Sequence, residues 1–525
     1  MAGIGVRLNR IYNKRTMLTS LVGAGYSTVI TVLPMFLVIV TITLMDKLLG
    51  VSEIVYASRE LYSATILYIF IFALITASPF NAVLSRYLSD VIYEETYADI
   101  LPCYYVGLLI NLSFSCLIGI PFCIWEYTVG KVSLFFICLG YCGYVIMVIL
   151  FYSMLYLSIC KSYGKITWFF LVGMAVALLL SMLFVYVFRM ETTTSMLLAL
   201  DIGFLLITCL EWAQVKSYFR YSSKKYKEVF VYFKKYWQLV LTNFFYMLGL
   251  YVHNFVFWTT DLRMEVAGCF VSAPSYDMAS CLGMFTNITA SILFISRVEM
   301  RFNEKYRGYS EAVIGGRGMD IDNAKKRMFH QLSSELIHLV RDQFVISIII
   351  YFLFNIFLPR LGFGGLVMQI YPSLAAGYFI WFILNAAIIF LYYYSDLNGA
   401  LCAAVATVVA TLAGSIVATK LLPMFYGVGL IFGTLVGFSI AYYRLRTIEK
   451  TLDVHIFCNG NIMKKGSGKC PSNKVFDRYA LVAEQERREK KKRKKKTATK
   501  QIEVKPSSGR QKAKKHNVIR EEEGD

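Results

Sequence analysis

The 525 residues are 57% hydrophobic and 16% aromatic but only 17% charged, and the mean hydropathy is +0.55. Soluble globular chains carry roughly 25% charged residues, so that class is excluded. The formal charge of +20 does not mark a nucleic-acid binder, because residues 444–525 hold 24 Lys and Arg against 11 Asp and Glu and so supply +13 of it.

About 20 apolar residues in a helix cross a hydrocarbon core of roughly 30 Å. Uncharged runs predict nine crossings, at residues 16–45, 61–85, 100–125, 132–160, 166–188, 278–296, 361–395, 397–419 and 421–443. Three weaker ones complete the set: 192–213, interrupted by Asp201 and Glu211; 237–260, interrupted by His253; and the short 344–359. The first apolar run is too long for a signal peptide and lacks a convincing small-residue cleavage site, so it reads as a retained crossing. Twelve crossings put both termini on one side, and that side receives 47 of the 54 Lys and Arg. Cytoplasmic loops retain basic residues, which places both termini in the cytoplasm.

The expected fold is an all-α polytopic membrane protein of two six-helix bundles. Residues 1–213 form the first bundle, 214–236 a cytoplasmic inter-bundle loop, and 237–443 the second bundle, including a cytoplasmic amphipathic segment at 297–341. A cytoplasmic C-terminal segment at 444–482 and a basic, disordered tail at 483–525 follow. Within 297–341, Met328, Leu332, Leu336 and Val340 recur at helical spacing opposite Lys326, His330, Ser334 and His338. That stripe either packs on the bundle or docks a partner. The tail, with REKKKRKKK at 488–496, lacks apolar periodicity. It is a solvated appendage, or it lies against anionic lipid or acidic partners.

Most of the 12 cysteines lie inside apolar runs, where a small, weakly polar side chain packs well. Cys123 and Cys269 fall near the outer face, and their pairing is left open. His455, Cys458 and Cys470 lack a fourth ligand for zinc. No GxxxxGK[ST] phosphate loop occurs, and the glycines Gly362, Gly364 and Gly365 lack the Lys and Ser/Thr such a cradle needs. Five histidines offer little for nucleophilic catalysis. The sequence therefore predicts a transporter rather than an enzyme, with no metal and no cofactor.

An Asp near the middle of a crossing costs about 2.5–3.5 kcal/mol on insertion scales, so Asp201 is expected to face a wet cavity or a partner. Glu211, His253 and Asp277 join it as candidate pathway residues. Asp277 shares an outer loop with Asp261 and Glu265, where few bases occur, and such a surface favours a neutral or cationic solute. The alternative is structural: Asp201 hydrogen-bonded between helices, and the others at the membrane interface.

Six segments together resemble one family: MAGIGVRLNR (1–10), SPFNAVLSRYLSDVIYEE (78–95), VHNFVFWTT (252–260), APSYDMA (273–279), ISRVEMRFNEKYRGY (295–309) and LDVHIFCNGN (452–461). In order and placement they are similar to the PelG family of Pel exopolysaccharide transporters, from residue 1 to about 461. The resemblance implies a cytoplasmic-membrane protein akin to polysaccharide flippases and MATE-like transporters. Its family moves Pel, a partly deacetylated and so partly cationic amino-sugar polymer, out of the cell for biofilm matrix. The partners it implies are a PelF-like cytosolic glycosyltransferase and PelD-like and PelE-like membrane proteins, with cyclic-di-GMP sensed by the PelD-like one. No catalytic residues are carried over. By position, Arg297, Glu299 and Tyr306 follow the eighth crossing on the cytoplasmic side and, with Met328, Leu332 and Leu336, are candidate docking residues. Arg297 and Glu299 serve equally as a snorkelling anchor and a helix-terminal charge.

The functional expectation is export of a Pel-type polymer within a synthase complex. Its rivals are a flippase for lipid-linked oligosaccharide, an ion-coupled drug antiporter with Asp201 as the coupling carboxylate, and a scaffold that conducts nothing.

Overall fold

Apolar segments in lipid must satisfy every backbone group internally, and helices do so without a partner. The computed structural model describes residues 17–51, 54–94, 96–159, 163–219, 221–294, 298–361 and 364–454. Six long helices come first: α1 (Met17–Leu48), α2 (Tyr56–Tyr93), α3 (Ile100–Thr128), α4 (Leu134–Ile159), α5 (Tyr163–Met182), which runs into a π-helical turn at Leu183–Val187, and α6 (Thr192–Tyr218). A short amphipathic α7 (Tyr226–Lys235) leads to α8 (Trp237–Phe257) and a hairpin of β1 (Met264–Val266) and β2 (Phe270–Ser272). Then come α9 (Pro274–Asn287), α10 (Thr289–Leu293), α11 (Glu299–Gly315), α12 (Gly318–Phe357), α13 (Leu366–Tyr393), α14 (Leu397–Ala418) and α15 (Val428–Val454).

Ten helices among the described residues are long and apolar enough to cross a membrane. The 32-residue α1 and the broken pair α9–α10 bring the crossings to twelve. The eighth crossing is not the continuous run expected from 278–296. It starts earlier, at Pro274, and breaks at Ile288, just after Thr286 donates to the Leu282 carbonyl at 2.8 Å and Asn287 to the Gly283 carbonyl at 3.0 Å. Such back-bonding competes with the helical ladder.

The ninth crossing also differs, because it is the C-terminal part of a 40-residue helix. At 1.5 Å per residue α12 is about 60 Å long, twice a bilayer core, so its first half projects beyond the membrane. There it packs against α11, tied by Arg301 to Glu335 at 2.9 Å. Within the amphipathic segment, residues 299–341 thus form a helical hairpin continuous with a crossing rather than a separate surface helix. The docking stripe is largely internal: Met328 is 0% and Leu332 5% exposed, covered by the chain's own helices. Leu332 and Leu336 line an open groove between α12, α13 and α15, and Met328 does not.

Buried apolar side chains form two main clusters, one drawn from residues 38–229 and one from 250–430. Ile71 and Ile75 of α2 belong to the second, because α2 packs along α8 where the halves meet. Aromatic rings fill that seam: Tyr68 stacks on Trp258 at 5.4 Å and Phe72 on Phe255 at 6.2 Å. Helices α14 and α15 approach more closely still. Gly429, Gly433 and Gly437 face Ser415, Thr411 and Thr407, and a Cβ at any of the three would collide with its partner. Small residues at four-residue spacing are how membrane helices gain contact.

Candidate functional site

The inward stripe of α6 carries Asp201, Phe204, Thr208, Glu211 and Val215, all buried, at alternating spacings of three and four. Asp201 and Glu211 therefore share one face, about 15 Å apart along the axis. Room for Asp201 comes from Gly143 on α4, where a Cβ would collide with Asp201 Oδ1. Asp201 Oδ2 is buried without a hydrogen-bond partner among the described residues, as is the Tyr62 hydroxyl within its electrostatic reach. Both Glu211 oxygens are likewise buried and unpartnered, near Tyr104 at the opposite end of the bundle.

His253 and Asp277 are brought together, but elsewhere. His253 is fully buried in α8, with Nδ1 2.9 Å from Tyr276 Oη and Nε2 3.2 Å from Tyr378 Oη. Tyr378 Oη is 2.6 Å from Ser280 Oγ, which donates to Asn254 Oδ1 at 3.4 Å. Asn254 Nδ2 in turn donates to Asp277 Oδ1 at 2.7 Å. Asp277 also accepts from Trp258 Nε1 and from the Ala273 amide, all at 3.0 Å. Asp277 is thus part of a hydrogen-bonded joint between α8, α9 and α13. The four candidate residues form two separate groups, an unpartnered pair in the first bundle and a satisfied network in the second.

Of the docking candidates, Arg297 lies outside the described residues, as do Cys160, His455, Cys458, Cys470, residues 1–16 and the tail 483–525; so does the side chain of Glu299. Tyr306 is half-buried, 6.0 Å from the rings of Phe302 and Tyr393. Burial raises its phenol above the ordinary range, and nearby Arg86 of α2 opposes that shift. At the same end Lys225 bonds Asp99 at 3.2 Å; burial lowers the ammonium's affinity for its proton, but Asp99 outweighs this and holds it above its ordinary range.

Two features went unread in the sequence. Asp396 caps α14 through the Gly399 amide at 3.1 Å and receives Arg444 of α15 bidentately, both bonds at 2.8 Å. Glu126, in the last turn of α3 and only 5% exposed, lines a cavity of about 240 Å³ among α2, α3, α4 and the hairpin. It stands one residue past the uncharged run 100–125, where a carboxylate reads as an interfacial charge. Cys123 lines the same cavity, and both it and Cys269 are free thiols. Among the described residues no group of three or more His, Cys, Asp or Glu is placed to hold a metal ion.

Several solved MATE transporters share this architecture. An outward-facing multidrug resistance MATE transporter of the MOP superfamily aligns with TM-score 0.58 at 12% identity, covering 86% of this chain and 98% of that one. The Vibrio cholerae MATE transporter VcmN in its bent form gives 0.55 at 11%, covering 86% and 99%. An inward-facing multidrug resistance MATE transporter gives 0.52 at 11%, covering 75% and 91%. At such identities the likeness establishes the fold alone, one shared with MATE transporters. Comparison with curated proteins yields no match. Residues 1–457, which take in every crossing, match the family model "PelG: Putative exopolysaccharide Exporter (EPS-E)", and the chain belongs to the PelG family.

Proposed function

We propose that this protein exports a Pel-type amino-sugar exopolysaccharide across the cytoplasmic membrane, as the transport subunit of a synthase complex for biofilm matrix. The observation that carries the reading is the family match over residues 1–457, which spans all twelve crossings rather than one motif. The unpartnered carboxylates of the first bundle support a transport role. A buried polar group without a partner costs about 1–3 kcal/mol, and more when charged. Asp201 and Glu211, without a partner among the described residues, are open to a proton, a cation or the solute. Both termini and the α11–α12 hairpin face the cytoplasm in this reading, as the basic loops require. The hairpin and the groove at Leu336 are where a PelF-like glycosyltransferase would meet the exporter, with PelD-like and PelE-like membrane proteins alongside and cyclic-di-GMP acting through the former.

The test is the amount of amino-sugar polymer outside and inside cells lacking the protein, restored with the intact chain or with Asp201→Asn at matched membrane levels. External polymer should vanish without the chain, return with the intact form, and stay low with Asp201→Asn. Unchanged external polymer in the deletion strain would overturn the reading. The unpartnered Asp201 also suits an ion-coupled antiporter; that reading requires drug efflux that collapses with the ion gradient while polymer export is untouched.

A further inference from the structure

The cavity beside Glu126 has a chemistry that its own lining leaves incomplete. Glu126 makes no hydrogen bond and no ion pair among the described residues, although it is 5% exposed and lines the space. Every hydroxyl around it is already engaged. Thr65 Oγ1 donates to the Leu61 carbonyl at 2.7 Å, Tyr68 Oη to the Val271 carbonyl at 2.8 Å and Tyr141 Oη to Cys116 Sγ at 3.1 Å, while Tyr144 Oη pairs with Thr76 Oγ1 at 2.8 Å. Three of these protons are committed elsewhere and Tyr144 pairs with Thr76 rather than with the carboxylate, so among the described residues no side chain donates to Glu126. A buried carboxylate is tolerated only when paired and hydrogen-bonded.

The remaining walls narrow the choice of partner. The rings of Tyr68, Phe122 and Phe270 lie 5.0–5.7 Å apart, two of the three pairs edge-to-face. Aromatic faces carry negative quadrupole density and attract cations within about 6 Å. An anion would meet the carboxylate and these faces with no compensating donor. A hard metal ion would find one carboxylate and no further oxygen ligands from side chains that are free to turn. At about 240 Å³ the space is below the roughly 300–1,000 Å³ of drug-sized pockets. It fits a single ring, not a length of polymer.

We propose that this cavity binds a small organic ammonium of about one ring, with Glu126 as its counter-ion and the aromatic walls as its cover. The site is argued from its own geometry and stands apart from the export reading. The amine has two sources, a sugar or a non-sugar body, and the same carboxylate recognises either. Gly119 shapes the wall: a Cβ there would come within 2.7 Å of the Tyr141 ring and push it into the space.

The experiment uses the full chain in lipid nanodiscs at pH 7.5. Saturation-transfer NMR compares glucosamine with N-acetylglucosamine and benzylamine with benzyl alcohol. At least one amine should bind saturably and tenfold or more tightly than its neutral counterpart, and Glu126→Gln should erase that preference. Glucosamine binding identifies a sugar source, and benzylamine binding alone a non-sugar one. Gly119→Ala, which leaves Glu126 in place, should weaken the same binding and serves if Glu126→Gln does not fold. Neutral and cationic probes binding alike, a preference that survives Glu126→Gln, undiminished binding by Gly119→Ala, or no saturable amine binding would each overturn the proposal. Because binding is read on purified protein, its failure is independent of any failure of polymer secretion.

Discussion

Gly143→Ala tests whether the Asp201 carboxylate matters for its position as well as its charge. The added methyl would land on Asp201 Oδ1 and lie 3.2 Å from Ile69 Cδ1, so the carboxylate must turn away. Overpacking of this kind costs about 1–3 kcal/mol, while replacing a helical Gly by Ala returns up to about 1 kcal/mol. The net loss of stability is therefore roughly 0–3 kcal/mol, a drop of a few degrees in melting temperature. Export should fall much further, toward that of Asp201→Asn at matched membrane abundance. The assay pairs thermal unfolding by fluorescence-detected size exclusion with the ratio of external to internal polymer. The double variant supplies the internal check: sites in contact are non-additive, so it should export no less than Asp201→Asn alone. Wild-type export by Gly143→Ala, or a loss that tracks protein abundance, would refute the reasoning.

At the α14–α15 joint, Arg444→Met should cost about 2–4 kcal/mol, since two charge-assisted bonds are lost and Asp396, 5% exposed, keeps an unpaired charge. Adding Asp396→Asn, still a good helix cap, should recover at least about 1 kcal/mol of it; melting temperatures of the two variants measure the coupling, and equal values would deny it. On the same helix pair, Gly433→Ala places a Cβ against Thr411 Oγ1 and within 2.6–2.7 Å of the Thr411 backbone, whereas Gly308→Ala meets nothing within 4 Å. The first should lower the melting temperature and the second leave it equal or higher, as expected of Ala in an open helical site; a common sign for both would refute the close-packing account.

Fold and site were legible to different depths because different physics writes them. Lipid excludes charge from whole stretches of chain, so uncharged runs marked nine crossings, and three more were read from interrupted or short runs. The same criterion marked the ninth crossing but not the length of its helix, because α12 continues through Arg341 and Asp342 without a break; helices do not end where the membrane does. Periodicity correctly marked Met328 and Leu332 as apolar-facing but carries no information on what covers them, and the cover is the chain itself. Asp201 and Glu211 stood out because each interrupts an apolar run on a 3–4 stripe. The network around His253 could not be read, since Tyr276 lies 23 and Tyr378 125 residues away. Glu126 was hidden at the end of its run, where only the depth of the surrounding cavity separates it from an ordinary interfacial charge.

The two bundles treat the buried carboxylates of their crossings in opposite ways, and that contrast bears on which half works and which half holds. In the second bundle Asp277 accepts from three groups, Asp396 is locked by Arg444, and Asn287 donates to the Gly283 and Ala375 carbonyls at 3.0 and 2.8 Å. Each joins helices to one another, and breaking any of them leaves a desolvated group behind. In the first bundle Asp201 and Glu211 have oxygens with no partner, and Glu126 has none at all among the described residues. A polar group left unmatched in a folded protein is retained where something arrives to match it. A conformational change can be driven only by a ligand that binds two states differently, and a carboxylate whose neighbours are already committed offers no such difference. In the proposed export reading, the first bundle therefore carries the groups whose occupancy can change during transport. In the second, Asp277 and Asp396 are already held by the chain's own donors and offer no such change.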